Sequence, residues 1–326
     1  MRVFASLCLI LMAFAIIVPF VFAFSADISP NLTAPPIAAR NDSSVNVTVF
    51  DANGSFETDM FSYLTGVVAA EMPATFENEA LRAQAVAART YTLYKMTVSP
   101  SSNHKENVCT NSACCKAYIS VDKMRENWGD KFDEYYNKIR SAVADTDGKC
   151  LVYDNEPILA VFHSSSAGKT ENSGSVWLNN LPYLVSVDSP EGEADVPNFR
   201  QSVTYSYDEF KSTVLAAYGS AQFPDDRSAW ITDIEKDDTG RIKSVKIGGA
   251  ALSGTQLRSL FSLRSSNVTF ELSDSGVTMT TLGYGHGVGM SQYGANALAK
   301  TGKTYEDILL TYYTGVAVAD MSEYIK

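Results

Sequence analysis

An α+β domain, with mixed strands and helices forming a cleft behind an N-terminal membrane helix, is the architecture the sequence predicts. Three observations predict it. Strand-like and helix-like patterns alternate from about Val45 onward, with no internal repeat. An uncharged run, VFASLCLILMAFAIIVPFVFAF, fills Val3 to Phe24. A stretch rich in Pro, Ser, Ala and Asn separates the two. With 326 residues and 45% hydrophobic composition, the chain can bury a sizeable core. Its formal net charge of -11 and the lack of a basic stripe argue against a nucleic-acid binder. An acidic protein also gains no long-range attraction to anionic polymers, so local contacts must supply any affinity for them.

Residues 1–24 read as a membrane anchor or signal segment. The run can span a hydrocarbon core as a helix and exceeds a typical signal h-region. We read it as a retained anchor; cleavage after Val21-Phe22-Ala23 is the alternative. On either reading the remainder is extracytoplasmic. Residues 25–45 form a linker without periodicity, and residues 46–326 form the domain.

The elements follow in order. Asn46 to Phe50 is a strand, and Phe76 to Met96 is a long helix, with Pro73 before it and Thr75 as its cap. The helix interior carries Ala80, Ala83, Ala85, Ala87 and Ala88, which favour helix and allow close packing. Cys150 to Phe162 is a hairpin turning at Asp154-Asn155-Glu156-Pro157. Ile231 to Ile247 is another, turning at Asp238-Thr239-Gly240. Ser253 to Leu263 is a short capped helix. A glycine loop spans Gly283 to Gly289, and a helix runs from Ser291 to Lys300. Thr304 caps a last helix, which ends at Gly315.

Four segments carry candidate chemistry. In Gly66-Val67-Val68-Ala69-Ala70-Glu71-Met72-Pro73, an apolar segment delivers Glu71 to a proline-led turn. A carboxyl among such neighbours is partly desolvated, which favours the acid form a general acid needs. A solvated glutamate complementing a helix dipole is the competing reading. Arg89 could fix that carboxyl, bind substrate, or form an ordinary ion pair. His104, Cys109, Cys114 and Cys115 suggest one closed tetrahedral Zn2+ site of structural type; disulfides, with Cys150, are the alternative.

His163-Ser164-Ser165-Ser166-Ala167-Gly168-Lys169 follows a strand and suits sugar hydroxyls. A serine nucleophile there would lack any G-x-S-x-G elbow. In Gly283-Tyr284-Gly285-His286-Gly287-Val288-Gly289 the dinucleotide spacing fails at Val288, and no Lys-Ser/Thr follows. So many glycines imply close backbone approach or positive φ around His286.

Taken together, Gly66 to Pro73, the helix Glu79 to Tyr91, Phe162-His163-Ser164-Ser165-Ser166 and Gly285 to Ala295 resemble the stage II sporulation protein D family in both wording and order. The resemblance covers roughly Phe50 to Gly315. It implies a lytic transglycosylase of forespore engulfment, anchored in the engulfing membrane of the mother cell. Such an enzyme cleaves the β-1,4 bond between N-acetylmuramic acid and N-acetylglucosamine in peptide-stripped strands, leaving 1,6-anhydro ends. It implies stage II sporulation proteins P (an amidase) and M as partners. It makes Glu71 the catalytic acid–base. It matches the Cys109 and Cys115 frame to a zinc segment in which some members carry His at the position of Cys114 and place His104 slightly differently. Arg89, Ser164, Lys169 and His286 are the expected substrate-positioning residues. A noncatalytic wall-binding amidase enhancer, which shares the domain, is the alternative function; a zinc peptidase or amidase and a serine hydrolase are weaker competitors.

Overall fold

The computed structural model describes residues 41–177 and 179–325. The expected membrane segment and most of the linker lie outside these residues. Among the described residues, no helix is long and apolar enough to cross a membrane.

The chain is mixed α+β, as its patterning predicts. After a 3-10 turn at Asp42–Ser44, strands β1 (Asn46–Asp51) and β2 (Gly54–Asp59) pair antiparallel. Helix α1 (Met60–Glu71) follows, capped by the Asp59 side chain, and then α2 (Asn78–Thr97). The short β3 (Val108–Cys109) lies parallel to β1. Helices α3 (Val121–Trp128) and α4 (Phe132–Ala144) come next. Strands β4 (Lys149–Tyr153) and β5 (Glu156–Pro157) form the expected hairpin. Its turn residues Asp154 and Asn155 have φ of 51° and 61°, the left-handed values Asp and Asn tolerate.

Helix α2 is the spine of this half. Ala80, Ala83, Ala85, Ala87 and Ala88 are buried along it, so α1, α4 and β4 pack close. Leu81, Val86 and Leu93 have no exposure; truncating such a side chain to Ala costs about 2–5 kcal/mol. Asp42 belongs to this core rather than to a linker. It is fully buried, and its carboxylate accepts from Nε and Nη2 of Arg89 at 2.7 and 2.6 Å. The folded unit therefore starts before residue 46.

Strand β6 (Phe162–His163) and the one-turn α5 (Ser173–Val176) lead into a second core. There β7 (Arg200–Tyr205), α6 (Tyr207–Ala217), β8 (Ile231–Lys236), β9 (Ile242–Ile247) and β10 (Ala250–Ser253) are followed by α7 (Gly254–Leu260), β11 (Val268–Ser273) and β12 (Gly276–Leu282). Two three-stranded antiparallel sheets, ordered β10-β9-β8 and β11-β12-β7, enclose Phe210, Trp230, Leu257, Phe261 and Met279. Strand β13 (Met290–Ser291) returns parallel to β6. Helices α8 (Gln292–Lys300) and α9 (Tyr305–Tyr312) pack on α2, and β14 (Ala317–Asp320) pairs with β4. The β6–β13 ladder thus stitches the chain where it leaves and re-enters the first core.

Candidate active site

Helix α1 ends where its sequence requires. Met72 precedes Pro73 and takes an extended conformation, φ -122° and ψ 139°, because a following proline disfavours the helical region. Glu71 is therefore the last helical residue, at the negative end of the helix dipole. This corrects the reading of Glu71 as a dipole-complementing glutamate at a helix start. A carboxylate in this unfavourable place is a local rule broken, as functional sites break them.

Gly66 on the same helix lets another segment approach. A Cβ there would sit 2.2 Å from the Tyr118 ring. Without one, Ile119 N donates to Gly66 O at 3.3 Å, and Ala117 N donates to Glu71 Oε1 at 3.0 Å. Gln292, at the start of α8, donates through Nε2 to Glu71 Oε2 at 3.4 Å and to Gln84 Oε1 of α2 at 3.5 Å. The half-buried carboxyl lines a cavity of about 320 Å3 with Trp128, Ser164, Gln292 and Tyr293.

A second cavity of about 940 Å3 is built from continuations of the same segments: Cys115 and Lys116 beside Ala117, and Val161 beside β6. Trp177, Arg258, Arg264, Tyr284 and His286 complete much of its wall. Lys116 is 7% exposed, with its Nζ 3.8 Å from the Phe162 ring centroid and 4.3 Å from that of Tyr91. Burial pushes its ammonium down to about 8, against the opposing pull of Glu71. His286 is held neutral, burial pushing it down to about 3. Its Nδ1 accepts from Val288 N at 3.1 Å, which leaves Nε2 as the donor.

The glycine loop positions His286 as its composition suggests. Gly289 has φ 71°, and a Cβ there would fall 2.1 Å from Val161 O. Only glycine lets the loop lie this close to the strand that delivers the serines.

Of the expected substrate residues, Ser164 lines the smaller cavity and His286 the larger. Arg89 does neither. Its guanidinium is fully buried against Asp42, Val143 O and Lys149 O, so it serves the core and is closed to substrate. Lys169 sits outside both cavities, half-exposed, 4.0 Å from Asp188. His163 Nε2 accepts from Ser166 Oγ at 2.6 Å, a pair that resembles an activated serine. Ser166, however, has no exposure, and His163 Nδ1 faces the Val288 carbonyl rather than a carboxylate. Ser166 is thus sealed in the core, and Ser164, the serine that does reach a cavity, is not the one hydrogen-bonded to His163. Glu191, which sequence reasoning missed, accepts from Ser166 N and the Ser291 hydroxyl and holds this loop in place. Lys116, Trp128 and Gln292 were also missed. Lys116 directly follows the cysteine cluster, and Gln292 lies inside the Gly-Met-Ser-Gln-Tyr-Gly string; neither position carries a pattern of its own.

His104, Cys109, Cys114 and Cys115 converge, their ligand atoms all within 4.8 Å of one another. Cys109, Cys114, Cys115 and Cys150 are free thiols in this structure, as a metal site rather than a pair of disulfides requires. His104 Nδ1 donates to Glu106 O at 3.0 Å, which leaves Nε2 for a metal, and that Nε2 lies 3.4 Å from Cys115 Sγ. Asn103's amide helps hold the Cys114 thiol down to about 7, whereas burial pushes Cys115 up to about 12. Ligands about 2.3 Å from one tetrahedral ion lie about 3.8 Å apart, so these side chains need close in by no more than about 1 Å to hold one metal.

The stage II sporulation protein (SpoIID) family model matches residues 54–153, the span that holds Glu71, the His/Cys cluster and Lys116. The chain is 37% identical over 289 residues to stage II sporulation protein D of Bacillus subtilis, covering 87% of this chain and 82% of that protein. The chain belongs to the stage II sporulation protein D family. The protein of the same name from Bacillus amyloliquefaciens is 36% identical over 288 residues, with 87% and 82% covered. The amidase enhancer of Bacillus subtilis is 28% identical over 307 residues, covering 78% of this chain but 40% of the enhancer. In this member of the family, the carboxyl, the His/Cys cluster and the buried lysine are joined by one short stretch of chain, Cys114 to Ala117.

Proposed function

We propose that the protein is a lytic transglycosylase of peptidoglycan, acting on the glycan strand between N-acetylmuramic acid and N-acetylglucosamine. One observation carries this reading: among the described residues lining the two cavities, Glu71 is the sole carboxylate. Hydrolytic glycosidases pair two carboxyl groups across the scissile bond, about 5–5.5 Å apart when retaining and about 6.5–9.5 Å when inverting. A site with one carboxyl suits a reaction that needs no activated water. Glu71 protonates the glycosidic oxygen, and the C6 hydroxyl of the muramic residue attacks its own C1. That hydroxyl's proton returns to Glu71, closing a 1,6-anhydro ring. Ala117 N and the Gln292 amide orient the carboxyl, while Ser164 and His286 offer donors to sugar oxygens.

We assign His104, Cys109, Cys114 and Cys115 to Zn2+, which as a closed four-ligand site would hold the loop rather than take part in the reaction. Closed coordination also disfavours a zinc amidase, which keeps an open position. By family resemblance the protein works in engulfment during sporulation, anchored at the mother-cell membrane. Its partners there are stage II sporulation protein P, whose amidase step strips the strands, and stage II sporulation protein M. The test is mass spectrometry of peptide-free strands incubated with wild type and with Glu71→Gln. New 1,6-anhydro ends from wild type alone support the assignment. If folded wild type makes none, the amidase-enhancer reading takes its place.

A further inference from the structure

The larger cavity has an uneven charge. Lys116, Arg258 and Arg264 line it, together with His286, Trp177 and Tyr284, and no aspartate or glutamate does so among the described residues. This occurs in a chain with 37 acidic and 26 basic residues. The three cations are also unneutralised locally: among the described residues, no carboxylate lies within 4.0 Å of any of them. Lys116 rests on ring faces instead. The Arg264 guanidinium stacks 4.2 Å from the Tyr284 centroid, and its buried Nε has no partner. Arg258 donates one hydrogen bond, to Leu263 O at 3.2 Å, from a half-buried position. Buried cations are ordinarily paired, and planar guanidinium groups match carboxylates in particular.

We propose that this cavity is a carboxylate subsite that reads the free lactyl carboxylate of a muramic acid residue, with Arg258, Arg264 and Lys116 as its ligands. The proposal rests on the glycan reading above. The chemistry gives the subsite its purpose. In intact wall, the stem peptide is joined through that carboxyl as a neutral amide; removing the peptide leaves a carboxylate. A cationic wall one segment away from Glu71 therefore rewards strands already stripped, without needing to exclude peptides by size. Trp177 and Tyr284, 37% and 45% exposed, supply aromatic faces for the adjoining sugar rings.

The test compares peptide-free strands with the same strands after reduction of the lactyl carboxyl to the primary alcohol. That change removes charge and adds no bulk. Binding is measured on the full-length Glu71→Gln chain, which holds substrate without turnover. The subsite predicts at least about tenfold tighter binding of the carboxylate strands, in line with a hydrogen bond to a charged group. Adding Arg258→Gln should shrink the preference to less than about threefold, and high salt should weaken it. Equal binding of the two strands, or binding of neither, overturns the subsite. The strand comparison needs no change in the cavity, so the test survives a misfolded Arg258→Gln. Cleavage by wild type is scored separately: preferential binding without 1,6-anhydro products would sink the transglycosylase reading and leave the carboxylate subsite standing.

Discussion

Arg89, in the core beneath α2, and Lys116, in the cavity wall, are both buried cations. Arg89 has 0% exposure and meets the Asp42 carboxylate through two nitrogens, with backbone carbonyls of Val143 and Lys149 taking further hydrogens. Lys116 has 7% exposure and meets only the faces of Tyr91 and Phe162. The first arrangement satisfies its charge and leaves nothing for a ligand. The second keeps a desolvated cation beside a large opening, where an anion would gain most. Burial alone does not separate structure from function; the partner does.

The comparison breaks most visibly at Arg89. Arg89→Met leaves the Asp42 carboxyl buried without its partner, so it must stay charged in the core or take up a proton. The expected loss is about 3–5 kcal/mol, read as a lower urea midpoint with an unchanged m value. A loss under about 1 kcal/mol would remove the contrast. Metal removal should come next. The cluster and the Lys116–Ala117 segment are one piece of chain, so a chelator should lower the melting temperature and the cleavage rate together. Free Zn2+ at a hundred times its Kd would supply about 2.7 kcal/mol. Activity that outlasts complete metal loss would separate the cluster from the site.

At Lys116 the prediction runs the other way. Lys116→Met should change stability by less than about 1 kcal/mol, since no carboxylate is stranded, and lower kcat/KM on stripped strands by about tenfold or more. Equal damage to stability and to kcat/KM would make Lys116 a second Arg89. The smallest effect belongs to Lys169→Ala. An exposed pair at 4.0 Å from Asp188 should shift stability by no more than about 0.5 kcal/mol and leave kcat/KM unchanged.

The same contrast explains what was legible in the sequence. Local rules reach local features. The Asp154-Asn155 turn and the Ser253 and Thr304 caps appear at the expected places; the alanine-lined α2 is there too, but it starts at Asn78 after Glu77, without the expected Thr75 cap. Helices α1, α3, α4 and α6 and the one-turn α5 have no counterpart in the sequence reading. α1 is apolar almost all round, with eight of its positions buried, so it lacks the polar stripe that announces a surface helix. In the site, Glu71 and the His/Cys cluster are visible because their motifs are short and contiguous. Arg89 was misassigned because its partner, Asp42, lies 47 positions away in what reads as a linker. Lys116, Gln292 and the cations of the larger cavity come from segments that only the fold brings together.

The central claim is that one carboxyl acts and no water molecule is the nucleophile. Digestion of peptide-free strands in water enriched in heavy oxygen, followed by mass spectrometry of the new ends, tests it most directly. The single-carboxylate site predicts 1,6-anhydro ends that carry no label. Reducing ends labelled with heavy oxygen at C1 would show that water attacks the sugar and would contradict it.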